Sequence, residues 1–168
     1  MPFSLLPRLI LPKLTDITPE LLKQRKIRLL MMDFDNTILP YTSTTPTPEL
    51  LSWLRKMKEG GIALCVVSNS KKDKARKFCG LHGIGCITHS KKPFSRGIRQ
   101  CLEEHGVKPS QAALVGDQIY TDVLGANCAG ATSILVKPLH LHNIWLKLRH
   151  AAEQPFILLA RKRRITKL

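Results

Sequence analysis

The chain has 168 residues, 43% of them hydrophobic and 23% charged, a make-up that allows a real core and excludes intrinsic disorder. No stretch approaches the roughly 18–20 continuous apolar residues of a membrane-spanning helix, and Pro2, Pro7, Arg8, Pro12 and Lys13 break the apolar start, which argues against a secretory signal. Net charge is +15, and residues 137–168 hold eight Lys or Arg against one acid, Glu153, a field that favours polyanions such as anionic lipid headgroups, nucleic acid or phosphorylated substrates.

Residues 1–17 read as an amphipathic lead-in, with Phe3, Leu5, Leu6, Leu9, Ile10 and Leu11 beside Arg8 and Lys13. Thr18-Pro19-Glu20 predicts a short helix, because a cap residue is followed by proline at the first helical position. Leu29-Leu30-Met31-Met32 predicts a buried strand ending at Asp33. Thr47-Pro48-Glu49 starts a second helix, with Leu50, Leu51, Leu54 and Met57 on one side and Gly60-Gly61 as its stop. The continuous apolar run over 62–67 predicts a strand covered on both faces. A helix over 71–79, a weaker strand over 84–88, a helix over about 94–105 and a strand over 112–115 follow. A helix from about Tyr120 and a strand over 133–136 complete the alternation. Such βα repetition predicts an α/β fold: a three-layer, Rossmann-like parallel sheet with helices on both faces, in a single domain over 1–168. Five cysteines, Cys65, Cys79, Cys86, Cys101 and Cys128, form no metal-binding spacing and read as reduced thiols of a cytosolic chain, packed as small core residues.

In parallel sheets ligands sit outside the carboxyl ends of the strands. Here those ends carry Asp33 and Asp35, then Ser68-Asn69-Ser70, then Ser90-Lys91-Lys92-Pro93, then Gly116-Asp117 with Asp122 beyond. A buried strand gains nothing from two carboxylates at its tip, because desolvating them is costly unless a cation compensates. Together these residues suit phosphoryl transfer. Asp33 is ionised at neutral pH without help and can attack phosphorus. Asp35 can protonate the leaving oxygen and then activate water. Asp33 and Asp117 offer hard oxygen ligands for Mg²⁺, with Asp122 as a further ligand or a support behind them. Ser68 and the amides after it suit phosphate oxygens, with Asn69 and Thr37 as further candidates, and Lys92 would neutralise the phosphate. His140 and His142 lack a third ligand and read as surface or packing residues.

At these positions the chain resembles the haloacid dehalogenase-like (HAD) phosphatases. Asp33-Phe34-Asp35-Asn36-Thr37 is similar to their DxDxT motif, Ser68 to the hydroxyl of the second motif, and Gly116-Asp117 through Asp122 to the GDxxxxD motif. Lys92 is preferred to Lys91 as the site lysine because that family places it before proline. The resemblance implies that Asp33 is the nucleophile, that Asp35 is the acid/base, and that the main-chain carbonyl of Asp35 is a metal ligand. About 30 residues separate Thr37 from Ser68, which leaves no room for a cap domain over the site. An open site of that kind tolerates large substrates.

Within that superfamily the chain looks most like the capless YqeG-like branch (subclass IIIA). The likeness rests on the proline-rich lead-in, the Thr18-Pro19 helix, the DFDNT segment followed by Pro40, the GDQ-x-x-TD segment and the basic C-terminus. It implies phosphatidylglycerophosphate as substrate. The C-terminal segment over 139–168 agrees with that: Leu141, Ile144, Trp145, Leu148 and Ala152 fall at helical spacing, Pro155 is expected to interrupt, and an apolar run precedes Arg161-Lys162-Arg163-Arg164. Apolar residues beside basic ones suit peripheral contact with the anionic inner face of a membrane. Packing of this stripe on the sheet is the structural alternative. Phosphatase action on nucleic-acid ends or phosphoprotein, or plain RNA binding, are the functional ones, with few aromatics available for stacking on bases.

Overall fold

Thr47 opens the second helix as its sequence predicts: its hydroxyl accepts from Leu50 N at 3.2 Å, and Pro48 follows. Thr18 does the same for the first, accepting from Leu21 N at 3.2 Å. The computed structural model describes residues 3–70, 73–140 and 144–165. In chain order the elements are β1 (Leu9–Leu11), α1 (Pro19–Lys23), β2 (Leu29–Met32), α2 (Pro48–Glu59), β3 (Ala63–Val67), α3 (Asp73–His82), β4 (Gly85–Ile87) and α4 (Arg96–Glu104). After these come β5 (Ala112–Gly116), a wide helical turn (Ile119–Val123) that runs into α5 (Leu124–Ala129), β6 (Thr132–Val136) and α6 (Ile144–Ile165). The first two residues of the helix expected over 71–79 lie outside the described residues.

The six strands form one parallel sheet in the order β1-β6-β5-β2-β3-β4. Alternate side chains of each strand feed opposite cores. Leu30, Met32, Leu64 and Val66 pack with Trp53 and Leu54 of α2 and Phe78 of α3. Leu29, Met31, Cys65 and Val67 pack with Ile98 and Cys101 of α4 and Ala126 of α5. Helices therefore cover both faces, which is the three-layer α/β arrangement. From β2 the chain first builds outward through β3 and β4, then crosses back to place β5 on the other side of β2. The crevice between β2 and β5 is therefore the switch point where such sheets bind ligands. Among the described residues the β2–β3 connection holds α2 as its one regular element and the β3–β4 connection holds α3, so no cap sits over that crevice.

Two elements depart from the sequence reading. Residues 9–11 of the lead-in pair with β6, Leu9 opposite Ile134 and Leu11 opposite Val136, as an edge strand. Pro7 and Pro12 bracket it, and an edge position tolerates such neighbours. A run of three residues is too short to show period-two patterning. The second departure is Pro155, which does not interrupt: α6 runs through it. Proline removes one main-chain hydrogen bond, but the inner face of the helix is anchored on both sides of the gap. Glu153, Ile157 and Ala160 are buried, and Ile157 packs with Ile119, Val123 and Leu135. Tyr120 meets Phe156 edge-on at 6.2 Å. Leu141 and His142 lie outside the described residues, as do the side chains of Trp145, Arg163 and Arg164.

Candidate active site

β2 lies between β5 and β3, and Asp33 is the first residue beyond its end. Its N–H donates to Val115 O at 2.9 Å, which seats it against β5. Phe34 turns into the core, 1% exposed, and meets the Phe78 ring edge-on at 5.6 Å. This apolar anchor fixes the two acids beside it in the chain: Asp33 is 7% exposed and Asp35 is half-buried. Asn36 sits at a positive φ of 66°, a conformation Asn tolerates better than most residues. Its side chain clamps the segment after β6, donating to His140 O at 2.9 Å and accepting from His140 N at 2.8 Å. Thr37 is buried, and its hydroxyl donates to Asp117 Oδ1 at 3.4 Å.

Lys92 is the hub. Its Nζ lies 2.6 Å from Asp33 Oδ1 and 2.8 Å from Asp122 Oδ1. The contact to Asp122 is an ion pair without the alignment of a directed hydrogen bond. Lys91 is exposed, so Lys92 is the lysine that reaches the crevice. Asn69 holds the segment that carries it: its Nδ2 donates to Lys92 O at 2.8 Å, and its Oδ1 accepts from Lys92 N and Ser90 Oγ, both at 2.7 Å. The Asn69 amide is thus engaged in positioning Lys92. Ser68 is buried at the end of β3, with Oγ accepting from Ser70 N at 3.1 Å. Asp122 folds back from the wide turn, accepting from Gln118 N at 3.2 Å through Oδ2. Gly116 makes that approach possible, because a Cβ there would stand 2.2 Å from Asp122 Oδ2.

Carboxylate oxygens of Asp33, Asp117 and Asp122 lie within 4.8 Å of one another, all three residues buried. Burial, with repulsion from Asp122 and Asp35, pushes the Asp33 carboxyl up to about 7 against the pull of Lys92, so, contrary to the expectation from its residue type, Asp33 is not fully ionised at neutral pH without help. For Lys92 burial favours the neutral amine, but Asp122 and Asp33 outweigh it and raise its pKa above the ordinary lysine value. Three buried carboxylates converging within 4.8 Å offer the hard oxygen donors that a divalent cation prefers.

Sequence reasoning named Asp33, Asp35, Thr37, Ser68, Asn69, Lys92, Asp117 and Asp122, and the structure gathers them at the ends of β2, β3 and β5 and the loop after β4. It did not single out Asn36, Ser90, Gln118 or Glu153 as supports. Glu153 Oε1 accepts from Ile119 N at 2.9 Å and so fixes the turn that carries Asp122. Its signal in the sequence was its standing as the one acid in a basic segment.

A family model described as mitochondrial PGP phosphatase matches residues 1–139. The chain belongs to this family. It is 36% identical over 123 residues to the probable phosphatase YqeG of Bacillus subtilis, a match covering 73% of this chain and 72% of that protein. It is 29% identical over 163 residues to phosphatidylglycerophosphate phosphatase 1, chloroplastic/mitochondrial, of Arabidopsis thaliana, covering 90% of this chain and 43% of that one. In fold it is similar to the cobalt-bound deoxy-D-mannose-octulosonate 8-phosphate phosphatase of Haemophilus influenzae, with a TM-score of 0.56 and 19% identity over 76% of this chain and 77% of that one. A hypothetical protein of Xanthomonas campestris matches with a TM-score of 0.54 and 17% identity over 100% of this chain and 99% of that one. The protein is a phosphatase related to the PGP phosphatases.

Proposed function

We propose that the protein hydrolyses the terminal phosphomonoester of phosphatidylglycerophosphate, with Mg²⁺, through an aspartyl-phosphate intermediate, at or near the cytoplasmic face of a membrane. The observation that carries the chemistry is the meeting of Asp33, Asp117 and Lys92 at the β2–β5 crevice. Asp33 attacks phosphorus, and the bond from phosphorus to the glycerol oxygen breaks. Asp35 gives that oxygen a proton. Water then attacks the same phosphorus, Asp35 takes its proton, and Asp33 is released with inorganic phosphate. Lys92 and the Ser68 hydroxyl hold phosphate oxygens. Asp33, Asp117 and the Asp35 carbonyl are the groups that would hold Mg²⁺, with Asp122 completing the cluster or supporting it through Lys92 and Gln118. The ion, when bound, supplies charge neutralisation for the phosphate. Asn69 and Thr37 act by positioning Lys92 and Asp117.

The lipid substrate is supported by the family match and by the outer side of α6. Ile144, Leu148, Leu158 and Leu159 are exposed there, beside Lys147 and Lys162. Among the described residues no helix is long and apolar enough to cross a membrane, so any contact of α6 with lipid would be peripheral. The test is a panel with Mg²⁺: phosphatidylglycerophosphate in micelles, a 5′-phosphorylated oligonucleotide and a small sugar phosphate. The lipid is expected to give the highest kcat/KM, and Asp33→Asn to lower it by about 10³-fold or more. A preference for the oligonucleotide refutes the lipid reading, and full activity of Asp33→Asn refutes the mechanism.

A further inference from the structure

We propose that the groove beneath α6 is the binding site for the substrate's leaving group, with Lys137 and Arg161 gripping a phosphodiester and the groove's apolar floor receiving the lipid glycerol beyond it. This rests on the phosphatidylglycerophosphate reading and deepens it. The groove has a volume of about 520 Å³ and is lined in part by Asp117, a member of the carboxylate cluster. That volume lies in the range of small-molecule sites and exceeds what a lone phosphate needs. It runs over the ends of β6 and β1, the rim where parallel sheets bind ligands.

Its lining has two parts. Ile10, Leu135 and Ile157 supply an apolar floor. Lys137, His150 and Arg161 supply basic groups, and Asp117 is the one acid among the lining residues. A sugar phosphate or phosphoamino acid offers hydroxyl or ammonium groups, which an apolar floor with basic edges does not satisfy. A glycerophospholipid with a terminal phosphate offers a second anion a glycerol away from the first, and then hydrocarbon. Arginine matches a phosphodiester with two parallel hydrogen bonds, and lysine adds a point charge. His150 is tied to Gln154, with Gln154 Nε2 2.9 Å from His150 Nε2, and both residues line the groove. A larger cavity of about 820 Å³, lined by Phe3, Leu102 and Val107, lies away from this rim and shares no residue with the carboxylate cluster.

The experiment compares three substrates on the full chain: phosphatidylglycerophosphate, its deacylated water-soluble form, which keeps the phosphodiester, and p-nitrophenyl phosphate, which has no second anion. Lys137→Gln with Arg161→Gln alters two exposed side chains, so folding is preserved, and thermal denaturation checks it. The ratio of kcat/KM for the deacylated substrate to that for p-nitrophenyl phosphate is expected to fall by about tenfold or more, through KM. An unchanged ratio overturns the proposal. Ile157→Asn is expected to weaken the acylated substrate more than the deacylated one, and equal effects overturn the assignment of the apolar floor. A fall of the same size in the deacylated-substrate ratio from Lys147→Gln, on α6 outside the groove, overturns the grip in favour of general surface charge. Failure of the unmodified protein on phosphatidylglycerophosphate refutes the substrate reading itself. A change confined to the variants' ratios tests the groove alone.

Discussion

At Asp33 a single carboxylate links the energetics of the fold to those of the proposed catalysis. Its pKa rises from an unfolded value near 3.8 to about 7 because burial outweighs the Lys92 ion pair. The folded state therefore binds a proton that the unfolded state releases between those values, and stability of the metal-free protein falls as pH rises through that window. The loss is on the order of 4 kcal/mol, since the rise spans about three pKa units at roughly 1.4 kcal/mol each. Mg²⁺ prefers the ionised carboxylate, so the rise in melting temperature on adding Mg²⁺ should grow from pH 5 to pH 7.5, as read by thermal denaturation at each pH. In Asp33→Asn the slope between pH 4 and 7 should flatten, and a slope as steep as in the unmodified protein would rule out Asp33 as its source. The acids and Lys92 were legible in the sequence because charged groups at strand ends are costly without a function. The role of Asn69 was not, because an amide beside a serine looks the same whether it meets a phosphate or a neighbouring loop.

Helix α6 shows what internal contacts do for an element. Its Pro155 removes a hydrogen bond, yet Glu153 two residues earlier reaches across to Ile119 N. Glu153→Ala leaves that buried N–H without this acceptor, at a cost of about 1–3 kcal/mol. Glu153→Gln keeps a carbonyl oxygen in place and should lose less than half as much. Urea denaturation of both variants distinguishes them, and equal losses would mean that charge, not the hydrogen bond, holds the helix. The same comparison explains why the element was misread. Proline's local penalty is visible in one dimension, and the tertiary contact that offsets it is 34 residues away. The strand β1 was missed for a related reason: three residues carry no period, and only β6 makes them a strand.

For the whole molecule, a net charge of +15 and an α6 whose outer side exposes Ile144 and Leu148 predict electrostatic adsorption to anionic membranes. Each basic residue near such a surface contributes about 1 kcal/mol, and salt screens it. The protein should sediment with vesicles containing anionic lipid, much less with neutral ones, and should be released by raising NaCl from about 0.1 to 0.5 M, where the screening length roughly halves. Equal binding to neutral vesicles, or none to anionic ones, would refute a charged docking face. On the proposed lipid reading, adsorption would hold the lipid's phosphate near the open crevice, where a site without a cap could capture it.

The sequence by itself determined the layered α/β fold, the capped starts of α1 and α2, and the reaction type. Those follow from local patterns: apolar runs, Thr-Pro pairs, and acids that no buried strand tolerates without a partner. The tertiary structure decided which lysine faces Asp33, how Asn69 and Glu153 brace the site, and that the lead-in and α6 wall a groove reaching Asp117. Each of those is a contact between residues far apart in the chain, and periodicity and spacing carry no information about such contacts until the sheet order brings them together.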